Sequence, residues 1–100
     1  MLLYNVTVGI DREIADEWLV WMKTKHIPDI LATGKFVDYK IYVIMHDEGE
    51  PTISYSVQYF ANTLDDVSAY LEQYEPVLGE ELRARYRDRH VAFRTLLEEV

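Results

Sequence analysis

Four strands and two helices in the order β-α-β-β-α-β, folded as a single α+β domain over residues 1–100, is the fold class this sequence predicts. Three observations predict it. Four segments alternate apolar and polar residues with period two, and two longer segments repeat apolar residues every three or four positions. The two middle alternating segments are separated only by a short polar turn, so they pair as a hairpin. A split βαβ arrangement of this order makes a four-stranded antiparallel sheet with both helices on one face, joined by right-handed crossovers.

Leu2 to Ile10 is the first strand. Tyr4, Val6, Val8 and Ile10 point one way, and Leu3, Asn5, Thr7 and Gly9 the other. Asp11 is placed to cap the following helix, with Glu13, Asp16 and Glu17 in its first turns. At 100° per residue, Ile14, Ala15, Trp18, Leu19, Trp21 and Met22 share one broad stripe, and His26 falls on its edge. Pro28 interrupts the helix near His26 or Ile27. Asp29 to Thr33 then reads as one more turn, closed by Gly34.

Lys35 to Met45 is the second strand, with Val37, Tyr39, Ile41, Val43 and Met45 on one side and Phe36, Asp38, Lys40, Tyr42 and Ile44 on the other. His46 to Pro51 is the polar turn, and Thr52 to Ala61 the third strand. Thr63 with Asp66 resembles a capping box. It opens a helix whose Leu64, Val67, Tyr70, Leu71, Tyr74, Leu78 and Leu82 share a face, with a kink or restart at Pro76. Arg83, Arg85, Arg87 and Arg89 gather at its C-terminal end, where they answer the helix dipole and Glu80 and Glu81. His90 to Leu97 is the fourth strand.

Bulk chemistry narrows the function classes. A formal net charge of −8 disfavours nucleic acid and anionic membranes as partners. With no cysteine, thiol nucleophiles, disulfides and thiolate metal sites are excluded. No apolar run approaches the ~20 residues a membrane helix needs, and no secretory signal is visible, so a cytoplasmic location is expected. Eight tyrosines suit half-buried cavity walls or subunit interfaces, where one end of the ring stays wet.

Helices cover one sheet face only. That face is expected to take Val6, Val8, Val57, Tyr59 and Phe93, packed on Trp18, Met22, Val67 and Leu71. The other face is expected to carry Asn5, Thr7, Ser54, Ser56, Gln58 and Arg94, with Lys40 and Tyr42, flanked by Leu3, Phe36, Phe60 and Leu96. Either it is solvated, as in many antiparallel sheets, or a second copy lies over it and encloses a partly polar cavity. The apolar residues around a polar centre, with little Lys or Glu, point to the second arrangement.

The start Met1-Leu2-Leu3-Tyr4-Asn5-Val6-Thr7-Val8, the segment from Trp18 to Phe36 with its His26-Ile27-Pro28-Asp29, and the strands Tyr55–Phe60 and Val91–Leu97 are together similar to the bacterial domain-of-unknown-function family 4286. That family resembles the dimeric α/β-barrel superfamily, a ferredoxin-like fold in which two sheets close face to face. The resemblance implies the fold and a homodimer. It leaves function open, because superfamily relatives include cofactor-free monooxygenases, haem-handling enzymes, isomerases and stress-response proteins.

His26 is the residue best suited to proton transfer, since an ordinary imidazole titrates near ~6.5. Asp29, one turn on, is placed to orient it. The competing reading is a histidine capping its own helix end. Arg94 would hold a carboxylate or carbonyl of a ligand by a forked hydrogen bond, or else pair with Asp38 or a Glu across the dimer. Asn5, Thr7, Lys40, Tyr42, Ser56 and Gln58 would orient a ligand or form a polar seam. Trp18 and Trp21 read as core, with Trp21 the more plausible ligand wall. His46 and His90 make no metal-ligand spacing with His26, and neither a metal nor a bound cofactor is expected.

These residues define three function classes. The leading one is a homodimeric binding or sensing protein for a small apolar or aromatic molecule. The alternatives are a cofactor-independent enzyme, monooxygenase- or isomerase-like, with His26 as acid/base, and a purely structural or interaction dimer.

Overall fold

The computed structural model describes residues 1–45 and 50–100; most of the expected polar turn, including His46, lies outside them. Strand β1 (Leu2–Asp11) is followed by a 3₁₀ turn (Arg12–Ile14), helix α1 (Ala15–Trp21), a π-helical turn (Met22–His26) and helix α2 (Ile27–Leu31). Then come β2 (Asp38–Ile44), β3 (Thr52–Ala61), α3 (Leu64–Gln73), α4 (Glu75–Arg85) and β4 (His90–Glu98). The strands form one antiparallel sheet in the order β2-β3-β1-β4.

The first helical segment does not stop at Pro28. It continues through the π turn, in which the Ile27 N–H donates to Met22 O. Proline cannot donate to the carbonyl four residues back and its ring crowds it. Widening the preceding turn relieves the crowding. The widened turn also resets the helical phase. Ile27 lies nine residues after Trp18, which in a straight α-helix places it on the opposite side, yet both are fully buried. Gly34 closes the segment at φ +76°, a left-handed conformation that glycine adopts without strain. Asp11 makes no capping hydrogen bond; its carboxylate accepts from Arg89 instead. Thr63 does cap α3, accepting from Asp66 N–H at 3.1 Å. The expected break at Pro76 is a clean restart: α3 ends before Tyr74, and Pro76 occupies the first turn of α4, where its missing donor costs nothing.

The core lies between the sheet and the helices. Tyr4, Val8, Ile10, Tyr55, Val57 and Tyr59 from the sheet meet Trp18, Met22, Ile27, Val67 and Tyr70. Tyr4, Phe36, Tyr59 and Tyr70 form an aromatic cluster with ring centroids 5.1–6.1 Å apart. Phe36, expected on the open face, is buried here, because the chain enters β2 only at Asp38 and the preceding loop turns its ring inward.

The largest correction concerns β4. Val6 pairs with Arg94, Tyr4 with Leu96 and Val8 with Ala92. Residues directly opposite share a face, so Arg94 and Leu96 lie on the helix side, and Val91, Phe93, Thr95 and Leu97 on the open side. This is the inverse of the expectation for Arg94, Phe93 and Leu96. A one-residue slip turns every side chain over, and the strand has apolar residues at both parities, so alternation could not choose. The turn before it chooses: Asp88 adopts φ 65°, Arg89 N–H donates to Tyr86 O, and His90 is set opposite Ile10.

Candidate functional site

Two arrangements of functional side chains result, one on each side of the sheet. On the open face, register lines the residues up in rows across β2, β3, β1 and β4: Asp38–Phe60–Leu3–Leu97, Lys40–Gln58–Asn5–Thr95, Tyr42–Ser56–Thr7–Phe93 and Ile44–Ser54–Gly9–Val91. The expected set Asn5, Thr7, Lys40, Tyr42, Ser56 and Gln58 is therefore gathered on one face. Four of them form a chain of hydrogen bonds. Gln58 Nε2 donates to Ser56 Oγ (3.2 Å), Ser56 Oγ to Asn5 Oδ1 (2.5 Å), and Asn5 Nδ2 to Thr7 Oγ1 (3.0 Å).

On the helix side, a cavity of about 740 Å³ opens between the sheet and α4. None of those six open-face residues lines it. Its inner wall is apolar and aromatic: Val6, Val8, Val57, Met22, Ile30 and the rings of Tyr4, Tyr59 and Tyr70. Burial raises the pKa of all three phenols above the ordinary value, most strongly at Tyr59, so they remain neutral hydroxyls. The helices stop short of β4, which is exposed along nearly its whole length, and this leaves the space open at that edge.

His26 enters the cavity wall from the π turn. It is 4% exposed, and its Nδ1 is buried without a hydrogen-bond partner. Burial pushes its pKa down to about 4, against the weaker pull of Glu81 and Asp29. The ring is thus a neutral imidazole at physiological pH, able to accept a proton but holding none to give as an imidazolium. The expected partnership with Asp29 is not formed. Asp29 is held by Lys25, one helical turn back, which also pairs with Glu81 at 3.4 Å. An accessible ammonium at that spacing takes the carboxylate and leaves the buried ring without it. Trp21 does not line the cavity either. It stacks on His26 (centroids 5.0 Å, 18°) and is covered outside by Arg85 at 5.2 Å, so it backs the imidazole.

The outer wall holds a cluster that sequence reading missed. Glu75, at the start of α4, accepts two guanidinium groups on the same oxygen: Arg83 Nη1 at 2.6 Å and Arg94 Nη2 at 3.0 Å. Arg83 Nε donates in addition to Glu80 at 3.1 Å. The Glu75 side chain is 14% exposed, and Gly79 makes room for it, since a Cβ there would collide with its carboxylate. A signal was present: Glu75, Gly79 and Arg83 are spaced by four, a single helix face with a gap between acid and base. Arg94's contribution was invisible without the register of β4.

The described residues bring no three His, Cys, Asp or Glu side chains together as a metal site, and none of their helices is long and apolar enough to cross a membrane.

The fold is shared with solved structures of low sequence identity. An EthD-family protein from Bacillus halodurans matches with a TM-score of 0.69 at 12% identity, all of both chains covered. A dimeric ferredoxin-like protein from an uncultured marine organism gives 0.66 at 7% identity, covering 99% of this chain and 98% of that one. SnoaB, a cofactor-independent oxygenase from Streptomyces nogalater, gives 0.65 at 11% identity, covering 98% and 92%. These likenesses establish the ferredoxin-like fold. Among curated protein sequences none matches this one. The sequence model of the domain-of-unknown-function family DUF4286 matches residues 1–100, and the chain belongs to that family.

Proposed function

We propose that this protein is a homodimeric small-molecule-binding protein whose ligand occupies the cavity between the sheet and α4, while the open sheet face forms the dimer seam. The carrying observation is the cavity itself: a space of about 740 Å³ with an aromatic inner wall, a buried unpartnered imidazole and a charged rim. That size and lining suit a planar apolar or aromatic molecule. The seam is supported by the internal pairing of its polar centre. Asn5, Ser56, Gln58 and Thr7 already satisfy one another, so covering them strands few polar groups. Within the four rows only Asp38 and Lys40 are charged, so two such faces approach without the repulsion a net charge of −8 would otherwise impose.

The test is calorimetric titration with a neutral planar probe, 1-naphthol, of wild type and Ala92→Trp. Ala92 lies at the exposed edge of the cavity, and an indole there fills the space from outside the core. Wild type is expected to bind and Ala92→Trp to lose binding at least tenfold while keeping its circular dichroism. Equal binding by both would remove the cavity from the account.

One observation favours a second reading, a cofactor-independent enzyme. A neutral imidazole at a cavity wall is poised as a general base, and SnoaB is a fold neighbour described as an oxygenase without cofactor. If so, His26→Gln abolishes turnover of any identified substrate while its binding persists.

A further inference from the structure

We propose that the cavity is selective for aromatic carboxylates, and that Glu75 acts as the chain's own stand-in for the ligand's carboxylate, held on the arginine pair until a ligand arrives. The inference rests on the binding reading above and specifies its ligand class. Arg83 and Arg94 come from different elements, a helix and a strand, and converge on one carboxylate oxygen. Two guanidinium groups so placed form an anion-binding fork, and the internal carboxylate demonstrates that an oxyanion fits it. Both arginines line the cavity, and their charges act on the phenols of Tyr4 and Tyr70 at the inner wall. Fork and aromatic surface therefore lie within the span of one small molecule. Gly79 is what allows the stand-in, because any side chain there would expel the Glu75 carboxylate. On the other wall His26 offers an uncharged ring. A ring against the tyrosines with its carboxylate on Arg94 would take over the bonds Glu75 now makes.

The experiment titrates the protein with 1-naphthoate and with its methyl ester at pH 7.5, read by calorimetry, with circular dichroism confirming each fold. Wild type is expected to bind naphthoate roughly tenfold more tightly than the ester, the value of a charge-assisted fork against a neutral carbonyl. Arg94→Gln is expected to abolish that preference, lowering naphthoate affinity roughly tenfold and ester affinity by much less. Arg94→Lys, which retains charge without the fork and covers the case in which the glutamine variant fails to fold, is expected to keep only part of it. Glu75→Gln removes the competing carboxylate and is expected to raise naphthoate affinity several-fold with no change for the ester. Equal affinity for acid and ester in wild type overturns the headgroup assignment and leaves the cavity reading intact. Binding of neither probe overturns both. A Glu75→Gln variant that binds naphthoate no better than wild type overturns the role given to Glu75.

Discussion

Burial governs the ionisation of His26. Its imidazole is 4% exposed and its Nδ1 has no partner, so the protonated form loses most of its hydration without compensation. This has a consequence for stability with a definite sign. A folded-state pKa of about 4, below the ordinary 6.5, means that the unfolded chain takes up the proton first as pH falls. The contribution of the neutral ring is fully present above pH ~6.5 and is lost as pH drops toward 4, by up to about 3 kcal/mol. Urea midpoints measured between pH 7.5 and 4 should fall more steeply for wild type than for His26→Gln. Parallel curves would show that the ring is not buried as neutral imidazole. The exposed Lys25–Asp29 pair beside it is a different case, because screened surface ion pairs contribute little; removing Asp29 is expected to alter stability by less than about 1 kcal/mol.

At the scale of the element, α4 carries the least expected feature. A glycine in a helix interior costs about 1 kcal/mol relative to alanine, yet Gly79 lies mid-helix between Glu75 and Arg83. The structure supplies a reason, since the carboxylate of Glu75 occupies the space a Cβ would need. Gly79→Ala therefore gains helix propensity and loses the clasp to Arg83 and Arg94, two effects of similar size and opposite sign. Overall stability is expected to stay within about 1 kcal/mol of wild type. A double-mutant cycle separates the two effects. Arg94→Gln should destabilise the wild type but have almost no effect in the Gly79→Ala background, a coupling of about 0.5–1 kcal/mol. Additive effects would mean that Glu75 keeps its place without the glycine. The π turn before Pro28 follows similar logic. Proline removes one helical hydrogen bond, and the wider turn that accommodates it brings Ile27 to the core and His26 to the cavity wall.

For the whole molecule, the question is what covers the open sheet face. Phe93, Val91 and Leu97 are exposed in the single chain, and Phe93 lies opposite Thr7 in the row that also holds Ser56 and Tyr42. A second copy laid over this face buries Phe93, whereas the fold of one chain scarcely needs it at 63% exposure. Phe93→Glu is thus expected to convert the proposed dimer to a folded monomer, read by sedimentation velocity at micromolar concentration with circular dichroism unchanged. A wild type that already sediments as a monomer would end the dimer reading while leaving the cavity on the other side of the sheet untouched.

The order of elements, the hairpin, the cap at Thr63, the restart at Pro76 and the faces of the first three strands, Phe36 apart, were legible in the sequence. Each depends on near neighbours along the chain: alternation, helical spacing and the backbone limits of proline and threonine. The polar set of Asn5, Thr7, Lys40, Tyr42, Ser56 and Gln58 was legible for the same reason, as was His26 as a residue of interest. Tertiary structure decided the rest. The face of Arg94 hung on the register of a strand with apolar residues at both parities, which a single residue at positive φ before it selected. The partner of Asp29 was settled by which cation could reach it from solvent, and the side of the sheet that holds the cavity by how far the helices extend toward β4. The clasp of Glu75 joins residues 19 apart in sequence. Periodicity records which way a side chain points relative to its neighbours, whereas a site depends on where separate elements bring side chains together, and that is fixed by packing alone.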